Sequence, residues 1–201
     1  MMPRNAARRS FLGGSLVLLA GLALGSPWGL AQDRGSAAPS DGAWTLFLVR
    51  HAEKAKDDPR DPGLTSAGRE RAAELARMLG EAQVSHLFTT DYRRTRATVA
   101  PLAAARGLEV EVYDPRQPED LLSSLRELPP GAVAVVAGHS NTTPKLFLDL
   151  TGEEARDLEQ HPRYGGMIPD DDHDRLYCVT LERRAAEVRA AASFELRYGA
   201  D

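Results

Sequence analysis

Thr45-Leu46-Phe47-Leu48-Val49-Arg50-His51 is a nearly continuous apolar run that ends on an arginine and a histidine. A run of that length without polar alternation reads as a central strand covered on both faces. A second run of the same kind, Ala132-Val133-Ala134-Val135-Val136-Ala137, leads into Gly138-His139-Ser140-Asn141. Between them, Ala72, Leu75, Ala76 and Leu79 recur at helical spacing, and Gly80 supplies a stop, which predicts a helix over 64–79. Strands are expected over 84–88 and 108–113. Helices are expected over 93–106 and 121–128, the latter opened by Pro118-Glu119-Asp120. After the second run, Thr143 is expected to cap a helix with Pro144 at its first position and Gly152 as its stop. Two later strands, 175–181 and 188–197, are expected to pair and complete the sheet. Strands alternating with helices define an α/β organisation.

The 201 residues suit one domain with an extension rather than two large domains. Hydrophobic residues at 42% and charged residues at 27% exclude both wholesale disorder and a multi-span membrane protein. A net charge of −4 offers no broad basic field for a nucleic-acid backbone, so nucleic acid is not expected as a partner. The one cysteine, Cys178, excludes an internal disulfide and a cysteine-rich metal site.

Residues 1–31 read as an export signal. Arg4, Arg8 and Arg9 precede an uncharged stretch from Phe11 onward, and Gly29-Leu30-Ala31 ends it in small-residue cleavage order. Arg8-Arg9-Ser10-Phe11-Leu12 resembles the twin-arginine export motif, which implies the twin-arginine machinery as a partner and a periplasmic or secreted bacterial protein. The alternative is an uncleaved anchor holding the chain to the inner membrane, because 21 uncharged residues match the roughly 20 that span a bilayer. Removing the leader takes the net charge from −4 to −7, so any anion site has to be local. Residues 32–42 are small, polar and broken by Pro39, a flexible lead-in to a domain over 43–201.

Three chemistry-bearing segments fall at strand C-terminal ends: Arg50-His51, Thr89-Thr90-Asp91 with Arg94, and Gly138-His139-Ser140-Asn141. That edge of an open α/β sheet is where ligands bind, and helix N-termini there add free N–H donors. Two histidines and two arginines on one edge form a cationic pocket suited to a phosphoryl group. A neutral imidazole with one nitrogen held as a donor is a nucleophile through the other. His51 is therefore expected to attack phosphorus in line and form a phosphohistidine that water hydrolyses. Arg50, Arg94 and a protonated His139 would stabilise the transferring group without a metal or cofactor. Asn141 is a further candidate phosphate contact.

These segments resemble the histidine phosphatase superfamily, the phosphoglycerate mutase-like group. Leu48-Val49-Arg50-His51-Ala52-Glu53 is similar to its opening Arg-His-Gly motif, and Leu64-Thr65-Ser66-Ala67-Gly68 to its Leu-Thr-x-x-Gly element. The segment from Thr90 to Thr98 is similar to Ser-x-x-x-Arg-x-x-x-Thr, and Gly138-His139-Ser140-Asn141 to its second-histidine motif. The resemblance implies a three-layer α/β/α sandwich with a mostly parallel central sheet. It also implies the same roles for Arg50, His51, Arg94 and His139.

Ester cleavage calls for an acid at the leaving oxygen. Asp114 is the candidate, with Glu53 and Glu119 behind it; the segment around it departs from the mutase pattern of a longer glutamate-bearing insertion. Hydrolysis of a small phosphomonoester or an envelope phosphoester is the expected activity. The alternatives are a phosphohistidine or phosphoprotein phosphatase, a phosphate-binding module without turnover, and a metal-dependent hydrolase built on His51, Glu53 and His139. His86 is expected to pack within a strand, Arg93 and Arg96 to face solvent, and His161 and His173 to lie in a loop. The run Asp170-Asp171-Asp172-His173-Asp174 is expected to be a solvated acidic segment, because it lacks the ligand spacing of a calcium loop.

Overall fold

A computed structural model describes residues 41–199. The export signal and residues 32–40 of the lead-in lie outside the described residues. The described chain forms β1 (Gly42–Arg50), α1 (Ser66–Met78), β2 (His86–Thr90), α2 (Arg93–Arg106), β3 (Val110–Tyr113), α3 (Pro118–Arg126), β4 (Val133–Gly138), α4 (Thr142–Thr151), β5 (Glu159–His161), β6 (Gly165–Met167), β7 (Arg175–Arg184) and β8 (Glu187–Arg197). Six of these strands make one sheet in the order β3-β2-β4-β1-β7-β8. The four strands from β3 to β1 are mutually parallel, and β7 and β8 add on antiparallel.

Alternation along β1 builds both sides of the core. Trp44, Leu46 and Leu48 face α3 and α4, where they pack with Leu121, Leu125, Leu146 and Phe147. Val49 and the half-buried Phe47 face α1 and α2, alongside Leu75, Leu79, Val99 and Leu102. β4 divides the same way, Ala134 and Val136 to one side and Val135 and Ala137 to the other. Helices on both faces explain why these strands carry no polar alternation. The fold is an α/β sandwich with a mixed, mostly parallel central sheet, as the sequence implied. Trp44 is fully buried, and its indole Nε1 donates to Leu125 O at 2.9 Å, which satisfies its polar end.

Several local expectations are corrected. β1 begins at Gly42, one residue inside the expected lead-in, and Asp41 Oδ1 accepts from the Ala185 backbone N–H. β2 runs two residues beyond the expected strand, because Thr89 and Thr90 extend the parallel ladder and their hydroxyls are buried and bonded. Thr143 does not cap α4. It lies within the helix, fully buried, and its Oγ1 donates to Val49 O at 3.2 Å, tying α4 to β1; Thr142 Oγ1 instead accepts from His139 N. Gly152 ends the helix in the left-handed conformation, where φ is 76°. The β5–β6 hairpin escaped the sequence reading because it has only three residues per strand and no apolar periodicity.

Candidate active site

Register places the chemistry. Arg50 lies opposite Gly138, and Thr89 of β2 lies opposite Ala137 one step earlier, so β1, β2 and β4 end at one level. His51 N extends the ladder by donating to Gly138 O at 2.9 Å. The residues after these strands therefore meet at one edge: the ring centroids of His51 and His139 are 5.5 Å apart. They line a cavity of about 810 Å³, together with Arg50, Arg94, Asn141 and Tyr92.

His51 is buried, and its Nδ1 lies 2.8 Å from Ala52 O. A carbonyl only accepts, so Nδ1 carries the proton and Nε2 keeps its lone pair. Burial, then the charges of Arg50 and Arg94, push the imidazole pKa down to about 2. The Ala52 carbonyl is itself held in place, because Ala52 N donates to Thr98 Oγ1 at 3.0 Å and Thr98 Oγ1 donates to Arg94 O at 2.8 Å. One threonine of α2 thus fixes the loop that orients the His51 ring. Below that loop, the N-terminus of α1 is capped by Thr65 Oγ1, which accepts from Gly68 N at 3.0 Å.

The two arginines differ in how they are held. Arg50 is 2% exposed, donates from Nη1 to Pro169 O and Asp172 O, and pairs through Nη2 with Asp170 at 2.9 Å. Arg94 reaches His139 Nδ1 from Nη2 at 3.3 Å and lies 4.5 Å over the Tyr92 ring. The Nε of each is buried without a hydrogen-bond partner among the described residues. Such unspent donors fit a site built for an oxyanion. Burial lowers the pKa of both guanidiniums, which stay charged.

His139 is not the standing cation expected from the sequence. It accepts from Arg94 at Nδ1 and therefore donates from Nε2 to Thr90 Oγ1, 3.0 Å away. Burial, then Arg94 and Arg50, push its pKa down to about 4, so the imidazole is neutral at pH 7.

The carboxylates expected as acids are elsewhere. Asp114 is clamped by Arg116 through contacts at 2.7 and 2.9 Å, and that pairing holds it well below the ordinary carboxylate range. It is absent from the cavity wall, which holds its neighbours Pro115 and Arg116. Glu53 points away to Arg71, which donates to Oε1 at 2.9 and 2.7 Å, so His51, Glu53 and His139 do not converge on a metal. Glu119 is exposed in the first turn of α3. Among the described residues no group of three His, Cys, Asp or Glu side chains is arranged to hold a metal.

The acidic run is more than a solvated loop. Asp170 and the Pro169 and Asp172 carbonyls anchor Arg50, while the Asp172 side chain pairs with Arg175 and Arg197. His173 is buried under the site, donating from Nδ1 to His51 O at 2.9 Å, with its ring centroid 5.7 Å from that of His51. Sequence reasoning missed this support; the one signal was the cationic site's need for carbonyl and carboxylate partners. His161 stacks on Tyr164 in the hairpin, 4.8 Å between centroids. His86 opens β2, half-buried and stacked on Phe88, and Arg93 and Arg96 pair with Asp57 and Asp91 at the surface.

Residues 46–116 match the model of the histidine phosphatase superfamily (branch 1). "Probable phosphoglycerate mutase GpmB" of Yersinia enterocolitica is 32% identical over 131 residues, covering 62% of this chain and 54% of that protein. The protein of the same name from Serratia proteamaculans is 34% identical over 88 residues, covering 41% and 40%. The chain thus spans about half the length of the curated relatives it matches. Among solved structures, mycobacterial hydrolase 2 superposes with a TM-score of 0.59 at 16% identity, over 81% of this chain and 94% of its own. The protein histidine phosphatase SixA, complexed with tungstate, superposes with a TM-score of 0.54 at 18% identity, over 74% and 95%. These two establish the fold. In sequence, residues 46–116 are thus similar to the histidine phosphatase superfamily, and a longer stretch of the chain is similar to proteins named as probable phosphoglycerate mutases.

Proposed function

We propose that this protein is a phosphatase that hydrolyses phosphomonoesters through a phosphohistidine on His51, without a metal or cofactor. The observation that carries the reading is the His51 ring: Nδ1 is committed to Ala52 O, and Nε2 is free at the edge shared with Arg50, Arg94 and His139. A neutral nucleophile and two fixed guanidiniums supply what a loose phosphoryl transition state needs, namely alignment and charge on its equatorial oxygens. A phosphate dianion raises the proton affinity of His139, so the ring takes up a proton as the ligand binds and becomes a third cation. Asn141, which lines the cavity at the start of α4, is proposed as a further phosphate contact.

Hydrolysis of p-nitrophenyl phosphate in excess EDTA, beside the His51→Ala variant, tests this. Activity that survives chelation and disappears with His51 supports the proposal; activity lost to EDTA alone sinks it. The name of the curated relatives favours a second reading, a mutase. It predicts that the phosphoryl group is recovered on a second substrate hydroxyl rather than as inorganic phosphate.

We also propose that residues 1–31 export the protein to the periplasm by the twin-arginine route, which directs it to small phosphoesters or phosphate groups of the envelope. Replacing Arg8 and Arg9 with lysine and fractionating the cells tests this. Periplasmic protein that persists in the double variant would contradict it.

A further inference from the structure

A second cavity, of about 360 Å³, adjoins the first. The two share walls made by Pro115, Arg116, Asn141, Thr142, Arg163 and Tyr164. The remaining walls of the second are largely aromatic and aliphatic: Tyr113, Pro118, Leu121 and Leu146. Two of its charged residues are neutralised where they stand, Arg116 on Asp114 at 2.7 Å and Lys145 on Asp149 at 2.8 Å. An apolar chamber opening beside a phosphate pocket is suited to the organic half of a phosphomonoester.

A separate observation concerns protons. Two carboxylates line the phosphate cavity, and both are engaged as anions. Asp170 is bonded to Arg50 at 2.9 Å and lies 3.4 Å from Lys54; Asp58 accepts from the backbone N–H groups of Arg60 and Asp61 at 2.7 and 3.1 Å. Neither carboxylate is placed to hold a proton for a departing alkoxide, and the His139 ring is engaged at both nitrogens, with Thr90 Oγ1 at 3.0 Å and Arg94 Nη2 at 3.3 Å.

Building on the phosphatase reading above, we propose that the substrate is a small aryl phosphomonoester, its phosphate beside His51 and its ring in the second cavity. A flat ring fits walls of proline, tyrosine and leucine. A phenol with a pKa near ~10 leaves as phenolate without prior protonation, whereas an alkoxide needs an acid. In the step, the Nε2 lone pair forms a bond to phosphorus as the bond to the aryl oxygen breaks. The phenolate keeps that electron pair and takes its proton from water. A second water then attacks the phosphohistidine, releasing phosphate and regenerating neutral His51.

The test uses three classes of substrate on the full chain and on Pro118→Glu, a change at the first turn of α3 where a carboxylate suits the helix dipole. Acetyl phosphate has a good leaving group too small to fill the second cavity. Phenyl phosphates of graded leaving-group pKa and n-hexyl phosphate complete the set. The wild type is expected to hydrolyse acetyl phosphate and the phenyl series, with a steep dependence on leaving-group pKa and about 10²-fold lower kcat/KM for hexyl phosphate, the scale of a missing general acid. Pro118→Glu is expected to lower kcat/KM for phenyl phosphate about tenfold and leave acetyl phosphate unchanged. A flat leaving-group dependence, or a variant that affects both substrates alike or neither, overturns the inference. If the wild type does not hydrolyse acetyl phosphate, the phosphatase reading fails first and this inference falls with it.

Discussion

A ring nitrogen attacks phosphorus only when it is unprotonated, and His51 meets that condition through burial and a single carbonyl contact rather than through a neighbouring base. In the proposed mechanism Arg94 supplies charge. Its replacement by alanine is expected to lower kcat by roughly 10²–10³, the usual effect of losing one such donor, with an unchanged urea midpoint. An unaffected kcat would remove Arg94 from that role. The depressed histidines also set the acid stability of the fold. His51, His139 and His173 all have folded-state pKa values below that of a free histidine, so below about pH 6.5 the unfolded chain binds more protons than the folded one. Stability therefore rises with pH across this window and is lost as pH falls, by roughly 1.4 kcal/mol per pH unit for each histidine kept neutral. Urea unfolding at pH 5 and pH 7 measures the slope, and His51→Asn is expected to reduce it. An unchanged slope in that variant would show that His51 takes up its proton in the folded state.

At the scale of elements, the site depends on how α1 and α2 grip the loop after β1. Thr98→Val leaves the Ala52 N–H buried without an acceptor, so it should cost roughly 1–3 kcal/mol and lower kcat, because the Ala52 carbonyl that orients His51 moves. Thr98→Ser, which keeps the oxygen, should restore both. Recovery of stability without recovery of kcat would separate Thr98 from positioning. Gly68→Ala would bring a methyl group to 2.5 Å from Glu53 O, so α1 has to withdraw, at a cost of roughly 1–3 kcal/mol in a thermal or urea melt. These elements were the most readable part of the chain. The doubly buried strands β1 and β4 announce themselves by apolar runs, and α2 begins and ends at the residues expected from its Arg93–Arg106 segment. Less readable was Thr143, whose residue type favours a cap but whose hydroxyl finds a better partner across the layer in Val49 O. Tertiary contacts decided that position, and no local pattern records them.

For the molecule as a whole, the convergence of Arg50, His51, Arg94 and His139 was legible because each lies at or just beyond the C-terminal end of a strand, and strand order brings the three segments to one edge. The acid was not legible. Asp114 has the right residue type in the right segment, yet the arginine two positions later captures it. His173 and Asp170 act from far along the chain, 122 and 120 residues from the groups they hold, a separation that sequence spacing cannot convey. The net charge of −4 makes the cavity lined by Arg50 and Arg94 a local positive feature on an acidic chain. Raising salt from about 0.05 to about 0.5 M should therefore raise KM for a phosphate ester while leaving kcat nearly constant, because screening acts on encounter rather than on the buried contacts. The phosphohistidine on His51 is tested most directly by quenching the reaction during turnover and locating the phosphoryl group by mass spectrometry at neutral to alkaline pH, where phosphohistidine persists. One phosphoryl group on His51, absent from His51→Ala, is expected. Turnover with no phosphoenzyme, or a label on any other residue, would contradict it.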